Sequence, residues 1–326
     1  MALTRVGFIG AGEIFELHAR GVQDTEDAAI SAIWNRTRER AEQRARAFDV
    51  PRVCDTVDEL LALPDLDVVY VITNMETHVD YAIAALEAGK HVLVEKPVAG
   101  NLADIERLQA AATASGKCCA PVHNYIYEPS LIRTRSMIEQ QQLGQLCSIY
   151  MLYNIHHDER VCARYPGVIR QILTHHAYVS LYLAGAAPRT VSCLKATIND
   201  DSVPQENLAH ASLQFESGAI AHLCASFAAD DNSSDPWTCL VKVIGTEGST
   251  RFSYRDWVEN QAWGPHAHTF SCYPFSIRNV GKHFIERVVR RGEPPLSSIA
   301  DAATSQRIIE ACERSVTEGV HVQLDG

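Results

Sequence analysis

Short apolar runs alternate with amphipathic stretches from Val6 to about residue 120. Helix signals mark two of these stretches: one starts at Thr77 and ends before Gly89, and another follows Asn101 and ends at Gly116. Strand-like apolar runs cover residues 5–9, 29–34, 68–73 and 91–94. Such alternation is typical of βαβ units, so we predict an α/β fold with a doubly wound parallel sheet.

The pattern changes after Pro129, where strands come to dominate. Helices are predicted at 130–142, 168–184, 277–290 and 299–318, and strands at 146–153 and in two pairs within 211–227 and 239–254. The polar loop 229–236 is expected to be mobile. We therefore expect a first domain at residues 1–123 and a second at 124–326, the latter an α+β domain with a large, mostly antiparallel open sheet.

Composition excludes several classes of protein. The chain has 326 residues, is 46% hydrophobic, and carries a formal charge of -11 from 29 basic and 40 acidic residues, so a nucleic-acid partner is not expected. No apolar stretch approaches the ~20 residues that span a bilayer, and the amino terminus lacks a signal-peptide core. The ten cysteines are scattered without a C-x-x-C pair. We expect a cytoplasmic protein with reduced thiols and no membrane partner.

The first apolar run leads into a glycine-rich turn, VGFIGAGEIF. Gly10 and Gly12 supply the first two glycines of G-x-G-x-x-G, which let a pyrophosphate approach the start of a helix beside Glu13 and Ile14. This predicts a dinucleotide-binding Rossmann domain. Phe15 stands where a third glycine normally allows close helix packing, so a displaced first helix is expected, and a turn without a ligand is the alternative.

The end of the second predicted strand indicates which dinucleotide binds. An acidic residue usually binds the adenosine ribose there, but this strand ends in Trp34, Asn35 and Arg36. A guanidinium without a competing carboxylate can pair with a 2′-phosphate, so we expect NADP to be preferred, with NAD possible. The alternative is that Arg36 and the arginines after it form a solvated basic helix start.

Two further strand ends carry polar side chains. Thr73, Asn74 and His78 follow the third predicted strand and are expected to line the path to the nicotinamide. Glu95 and Lys96 follow the apolar run 91–94. The carboxyl edge of an open α/β sheet is where ligands bind, so these residues are predicted to face the cofactor.

Together these residues resemble the family of glucose-fructose oxidoreductase, inositol dehydrogenase and the rhizopine catabolism oxidoreductase, written Gfo/Idh/MocA. The resemblance covers the whole chain and is carried by the glycine turn, by Thr73 with His78, by AALEAGKHVLVEKPVAGN and by PGVIRQILTHHAYVSLYLAG. It implies a Rossmann domain followed by a domain whose open sheet often serves oligomerisation, here a homodimer or homotetramer. It also implies hydride transfer on sugars, cyclitols or related secondary alcohols.

The resemblance also assigns residues. Lys96 corresponds to the active-site lysine of the family, Pro97 to the proline that shapes its loop, and His175 to the catalytic histidine. Two positions depart from the family pattern. Gln171 replaces an acidic residue four positions before the histidine, and Tyr178 replaces one that is frequent three positions after it.

Spacings of three and four place Gln171, His175, Tyr178 and Tyr182 on one helix face, which is either an active-site wall or a partly exposed surface. The working hypothesis puts a substrate hydroxyl between Lys96, which stabilises the alkoxide, and His175, which acts as acid and base. Tyr178, His176 or His157 are possible helpers or replacements.

The expected substrate contacts are Lys96, His175, Gln171, His157 and Tyr125. Asn124 is expected near the nicotinamide amide, although the aromatic side chains around it could equally be inter-domain packing. No metal is expected. The run His156-His157-Asp158-Glu159 is discounted, because adjacent histidines cannot easily point at one ion and the family normally needs no metal. The pair His266 and His268, two apart in a loop-like segment, is discounted equally.

Two alternatives remain open. One is a reductase of a keto-sugar, nucleotide-linked in some cases, in which NADPH delivers the hydride. The other is a regulatory protein that binds NADP without oxidising anything, since this fold also occurs in transcriptional regulators. The retention of Lys96 and His175 favours an enzyme acting on a polyol or keto-sugar, and Gln171 keeps the regulatory alternative open.

Overall fold

The computed structural model describes residues 3–157, 162–163, 166–198, 205–229, 238–253 and 272–324. The chain forms two compact units, of which one comprises Met1–Tyr127 and Pro274–Ala303, and the other Glu128–Tyr273 and Thr304–Gly326. Both units are discontinuous, whereas the sequence analysis divided the chain once, after residue 123. No helix in the described ranges is long and apolar enough to cross a membrane.

The first unit contains a five-stranded parallel sheet in the order β2-β1-β3-β4-β5. Its strands are β1 (Thr4–Ile9), β2 (Ala28–Trp34), β3 (Val68–Val71), β4 (His91–Val94) and β5 (Cys119–Pro121). The order reverses between β1 and β3, and a crevice for ligands opens at such a switch point. The predicted Rossmann sheet is confirmed.

The helices of this unit lie between its strands along the chain, and the side-chain cap predicted for one of them is present. They are α1 (Phe15–Gln23), α2 (Arg38–Ala47), α3 (Val57–Leu61), α4 (His78–Glu87) and α5 (Leu102–Ser115). The side chain of Asn101 accepts a hydrogen bond from the Asp104 N–H at 2.9 Å, and Gly116 ends α5 with φ of 64°. An apolar core packs α4 and α5 against β3 and β4.

The second unit is built on a seven-stranded sheet in the order β11-β10-β6-β9-β8-β7-β12. Its strands are β6 (Leu146–Asn154), β7 (Pro188–Ala196), β8 (Leu208–Phe215), β9 (Ile220–Ser226), β10 (Thr238–Gly245), β11 (Ser249–Ser253) and β12 (Val322–Gln323). All neighbours are antiparallel except β6 and β9. This confirms the mostly antiparallel sheet, and Leu194 on its outer face is 74% exposed.

The helices of the second unit include α6 (Pro129–Glu139) and α7 (Thr174–Ala184), and α7 follows a π-helical turn at Ile169–Leu173. The predicted mobile loop 229–236 lies almost entirely outside the described residues. Helix α7 contacts α6 and β6.

A later segment returns to the first unit, which the sequence analysis did not predict. It contains α8 (Cys272–His283), a π-helical turn (Phe284–Val289) and the start of α9 (Ile299–Glu318). Gly21 lets α1 approach α8, because a Cβ there would lie 3.0 Å from the Arg278 Cα. Arg290 donates hydrogen bonds to the Thr4 Oγ1 at 3.0 Å and to the Asp27 carbonyl at 2.6 Å.

Candidate nucleotide-binding and catalytic sites

The two glycines of the first turn have different surroundings. Gly10 has φ of 118°, and a Cβ there would lie 2.7 Å from the Ile72 carbonyl oxygen, so the close approach of β1 to β3 requires glycine. A Cβ on Gly12 would meet nothing within 4 Å. The backbone at Gly12 is therefore open to a ligand at the amino end of α1, as a pyrophosphate requires.

Phe15, at the third glycine position, is a core residue rather than an obstacle. Its side chain is buried and makes edge contacts with Phe8, at a centroid distance of 4.8 Å, and with Phe48, at 5.4 Å. Helix α1 begins at Phe15 itself. The apolar layer under the helix thus accommodates the ring. Glu13 is exposed and Ile14 is half-buried, and neither lines the cleft described below.

Asn35 holds the glycine turn against the end of β2. Its Oδ1 accepts a hydrogen bond from the Ala11 N–H at 3.0 Å, and its Nδ2 donates to the Thr37 carbonyl at 2.9 Å. Among the described residues, the exposed Arg36 and Arg40 have no ion-pair partner. The neighbouring Arg38, by contrast, pairs with Glu42 and Asp55. The guanidinium groups of Arg36 and Arg40 remain available to a phosphate.

A cleft of about 150 Å³ lies at the switch point of the sheet. It brings together the predicted residues Gly10, Gly12, Asn35, Arg36, Thr73 and Asn74. Its lining also includes Thr77 and Tyr81, which the sequence analysis missed. Tyr81 makes an edge contact with Trp34 at 5.5 Å, which gives the cleft an aromatic wall. Thr77 and Tyr81 are four residues apart at the start of α4, and this spacing, which places two side chains on one helix face, is the sequence signal that could have predicted both.

His78 links two segments that follow neighbouring strands of the parallel sheet. Its ring is buried, with Nδ1 at 2.9 Å from the Pro97 carbonyl and Nε2 at 3.0 Å from the Thr73 carbonyl. Burial lowers the pKa of this imidazole, although both carbonyls and nearby carboxylates favour its charged form. His78 therefore joins the end of β3 to the loop after Lys96, and its contact with a nicotinamide stays a prediction.

The carboxylate of Glu95 is buried at the end of β4. Its Oε1 lies 2.8 Å from the Nε2 of His18 on α1, and its Oε2 accepts the Lys96 N–H at 2.9 Å. Burial alone would raise the pKa of Glu95, but the His18 hydrogen bond and the charges of His18 and Lys96 outweigh it and lower that pKa. Glu95 is thus held as a carboxylate beside Lys96.

Lys96 is half-buried immediately after β4. Desolvation lowers its pKa to about 8, and the Glu95 charge opposes this shift. Its positive charge acts on His123, whose pKa burial and Lys96 together lower to about 3, and whose Nδ1 lies 2.7 Å from the Ser297 Oγ. The site therefore combines an ammonium group that can lose its proton slightly above neutral pH with an imidazole that is uncharged at neutral pH.

Asn124 and Tyr125 lie in a buried 3-10 turn after β5. The Asn124 Nδ2 donates to the Ser276 Oγ at 2.7 Å, so this amide holds the returning segment of the first unit. The expected contacts of Asn124 with the cofactor and of Tyr125 with a substrate stay predictions.

In the second unit, His175 lies on α7 with its ring buried. Its Nδ1 is 2.6 Å from the Tyr178 hydroxyl, while Gln171 lies half-buried in the π-helical turn before α7. In the predicted polar stripe, His175 and Tyr178 are buried, whereas Gln171 and Tyr182 are half-buried. A phenol orients the imidazole at the position where the family pattern often has a carboxylate.

The neighbouring histidines have other surroundings. Burial lowers the pKa of His176 to about 3, so this imidazole is neutral. The half-buried His157 packs on Phe227 at 4.7 Å. Asp158, Glu159, His266 and His268 lie outside the described residues. Within the described ranges, no group of three His, Cys, Asp or Glu side chains could hold a metal ion.

The geometry of the first unit fits a dinucleotide. One cleft brings together an unobstructed glycine turn, the amino end of a helix, an aromatic wall and two guanidinium groups that have no ion-pair partner among the described residues. Comparison with known proteins agrees. Residues 4–123 match the family described as an oxidoreductase family with an NAD-binding Rossmann fold, and residues 131–251 match the GFO/IDH/MocA C-terminal domain.

Individual relatives are similar over almost their whole length. A 4-carboxy-2-hydroxymuconate-6-semialdehyde dehydrogenase of Sphingobium sp. is 26% identical over 95% of this chain and 98% of its own. The scyllo-inositol 2-dehydrogenase (NAD(+)) of Bacillus subtilis is 25% identical over 99% of this chain and 96% of its own.

A solved scyllo-inositol dehydrogenase from Lactobacillus casei, with bound NAD(H) and scyllo-inositol, has the same fold. It superposes with a TM-score of 0.86 at 17% identity, over 98% of this chain and 99% of its own. The chain belongs to the GFO/IDH/MocA family of oxidoreductases and has that family's NAD-binding Rossmann fold.

Proposed function

We propose that the protein is an NADP-preferring dehydrogenase or reductase that interconverts a secondary alcohol and a ketone on a sugar, cyclitol or sugar derivative. The observation that carries this proposal is Lys96 at the carboxyl edge of β4, whose backbone N–H donates to the Glu95 carboxylate and whose ammonium group has a pKa of about 8. A cation at this edge can stabilise an oxygen on which negative charge develops. The cofactor, when bound, accepts or supplies the hydride.

Each proposed residue has one role. Lys96 holds the reacting oxygen of the substrate and stabilises it as an alkoxide. His175 takes the hydroxyl proton in oxidation and returns it in reduction, with its Nδ1 held by the Tyr178 hydroxyl at 2.6 Å. Gln171, His157 and Tyr125 are proposed substrate contacts. Residues 1–123 are proposed to bind the cofactor and residues 124–326 the substrate.

The preference for NADP rests on the end of β2. An acidic residue there would repel a 2′-phosphate, and Asn35 stands in its place with its amide engaged by the glycine turn. Arg36 and Arg40 line the cleft, and neither has an ion-pair partner in the described part of the chain. NAD remains usable, because the pyrophosphate site is the same for both cofactors.

The names of the relatives support the reaction class and leave the substrate open. One relative is a scyllo-inositol 2-dehydrogenase and another a semialdehyde dehydrogenase. Both names describe a dehydrogenase, and the name of the scyllo-inositol 2-dehydrogenase also gives NAD(+) as its cofactor. The second candidate is a reductase of a keto-sugar, which a preference for NADPH favours.

We also propose a homodimer or homotetramer in which a second copy covers the open sheet face. The exposed Leu194, Tyr150 and Leu152 on that face support the proposal, because exposed apolar side chains on one sheet face favour association. Sedimentation would distinguish this assembly from a monomer.

A substrate panel with both cofactors tests the function. Cyclitols, sugars and keto-sugars would be added with NADP and NAD in either redox state while absorbance is followed at the reduced-nicotinamide band. Turnover that is faster with NADP or NADPH is expected. Tight cofactor binding without any absorbance change across the panel would favour the regulatory alternative instead.

A further inference from the structure

We propose that His18 is a positioning residue for Lys96. It holds the Glu95 carboxylate ionised and fixed, and Glu95 in turn keeps Lys96 cationic and in place. This inference rests on the proposed function, because it assigns His18 to the site that Lys96 is proposed to serve.

The geometry is a short chain of contacts within the first unit. The Nε2 of His18, on the helix after the glycine turn, lies 2.8 Å from the Glu95 Oε1, and the Glu95 Oε2 accepts the Lys96 N–H at 2.9 Å. The two side chains that meet here are 77 residues apart in sequence. The helix that begins at the cofactor turn is thereby tied to the loop that carries the proposed active-site lysine.

The His18 ring is fixed from several sides. Its side chain has no solvent exposure, and it makes an edge contact with Tyr70 at 5.7 Å. The His18 Nδ1 is buried and has no hydrogen-bond partner among the described residues. A carboxylate oxygen can only accept a hydrogen bond, so the geometry makes the His18 Nε2–H the donor to Glu95.

Removing that donor has a predictable consequence. A buried carboxylate that loses its hydrogen bond tends to take up a proton, because burial disfavours the charged form. Lys96 would then lose the opposite charge that opposes its own desolvation. Its ammonium group would give up its proton at lower pH, and less of the cation would be present at neutral pH.

The other titratable groups near Lys96 and Glu95 do not change protonation in the pH range where Lys96 does. His123 faces Lys96 from the end of β5 with a pKa of about 3, so it does not titrate near neutral pH. His78 faces Glu95 from α4, and burial lowers its pKa as well. Burial raises the pKa of the Tyr70 hydroxyl, which stays neutral. A titration observed at this site between pH 7 and 9 therefore reports the protonation of Lys96.

The experiment compares His18→Leu, which lacks a donor, with His18→Gln, which retains an N–H. Lys96 protonation is measured without substrate, from the pH dependence of amine labelling by acetic anhydride read by mass spectrometry, with Lys117 as an internal reference. The same variants are assayed for kcat/KM against pH and for cofactor affinity. Tyr70→Phe serves as the control, since it changes the neighbouring ring and keeps the His18 to Glu95 contact.

In His18→Leu we expect the labelling profile of Lys96 and the alkaline limb of kcat/KM to move about one pH unit lower. In His18→Gln and Tyr70→Phe both should stay near the wild-type position. An unmoved Lys96 profile in His18→Leu would overturn the inference. So would loss of folding in both His18 variants, because the pair would then be purely structural.

Lys96→Ala, assayed in parallel, separates this inference from the proposed function. If Lys96→Ala turns over substrate normally, the proposed function fails. If Lys96→Ala is inactive and the His18→Leu profile is unmoved, only the role of His18 fails.

Discussion

The Nδ1 of His175 lies 2.6 Å from the hydroxyl of Tyr178, one helical turn further along α7. Both side chains are almost fully buried. A phenol is a neutral partner, so it can orient the imidazole and fix its tautomer without supplying the negative charge that a carboxylate would bring to an imidazolium. The family often has an acidic residue at position 178. Here the Tyr178 hydroxyl can orient the His175 imidazole, but it cannot supply the negative charge of a carboxylate.

Tyr178→Phe removes only this hydroxyl. The His175 Nδ1 would lose its partner, so we expect kcat/KM to fall about tenfold or more. The free energy of unfolding should decrease by about 1 to 3 kcal/mol, from the hydrogen bond lost in a buried site. Tyr182→Phe, on the same helix at a half-exposed position, is the matched control. Unchanged kinetics in Tyr178→Phe would show that the hydroxyl does not serve the reaction.

Gly10→Ala and Gly12→Ala should fail in different ways. At Gly10 a methyl group meets the Ile72 carbonyl at 2.7 Å with φ of 118°, so thermal stability should fall. At Gly12 the methyl group meets no protein atom within 4 Å, so stability should be kept while cofactor affinity drops at least tenfold. Differential scanning calorimetry and cofactor titration test both. Normal cofactor affinity in Gly12→Ala would argue against a pyrophosphate over this turn.

Arg36→Ala should weaken NADPH binding selectively. The loss of a guanidinium that pairs with a 2′-phosphate should raise the NADPH Kd by about tenfold to a hundredfold and leave the NADH Kd within about twofold. Arg38→Ala is the control, because Arg38 is already paired with Glu42 and Asp55. Equal losses for the two cofactors in Arg36→Ala would contradict the proposed NADP preference.

Glu128 predicts a pH-dependent stability. Burial raises its pKa from 4.5 to about 8, and its Oε1 has no hydrogen-bond partner among the described residues. Between these two pH values the folded state holds a proton that the unfolded state has lost, so stability should fall as pH rises through this window. In Glu128→Gln the loss of unfolding free energy across this pH window should be smaller by on the order of 2 to 5 kcal/mol. Urea unfolding at pH 5 and pH 9 measures the free energy of unfolding of both proteins. An equal change with pH in the wild type and in Glu128→Gln would contradict the role of Glu128.

Sequence patterns predicted the elements that carry strong local signals. The bounds of β4 (His91–Val94) and α9 (Ile299–Glu318) agree with prediction to the residue, and Asn101 and Gly116 bound α5 as expected. Strand β7 was missed because its run mixes apolar, basic and hydroxyl side chains without clean alternation.

Long-range partners could not be predicted in this way. The sequence analysis predicted a helix at residues 277–290, but not that this helix belongs to the first unit. The His18 to Glu95 contact joins residues with no shared motif. At Tyr178 the sequence showed a missing carboxylate, and only the side-chain geometry showed that a hydroxyl meets the histidine instead.

The central claim is that the Lys96 ammonium group serves hydride transfer and not cofactor binding. The most direct measurement follows the reduced-nicotinamide absorbance in Lys96→Ala with a substrate that the wild type oxidises, and compares cofactor affinity in the two proteins. We expect kcat to fall by at least a thousandfold while the cofactor Kd changes less than about threefold, and wild-type activity to decline above about pH 8 as Lys96 loses its proton. A Lys96→Ala protein that oxidises substrate at the wild-type rate would contradict the account.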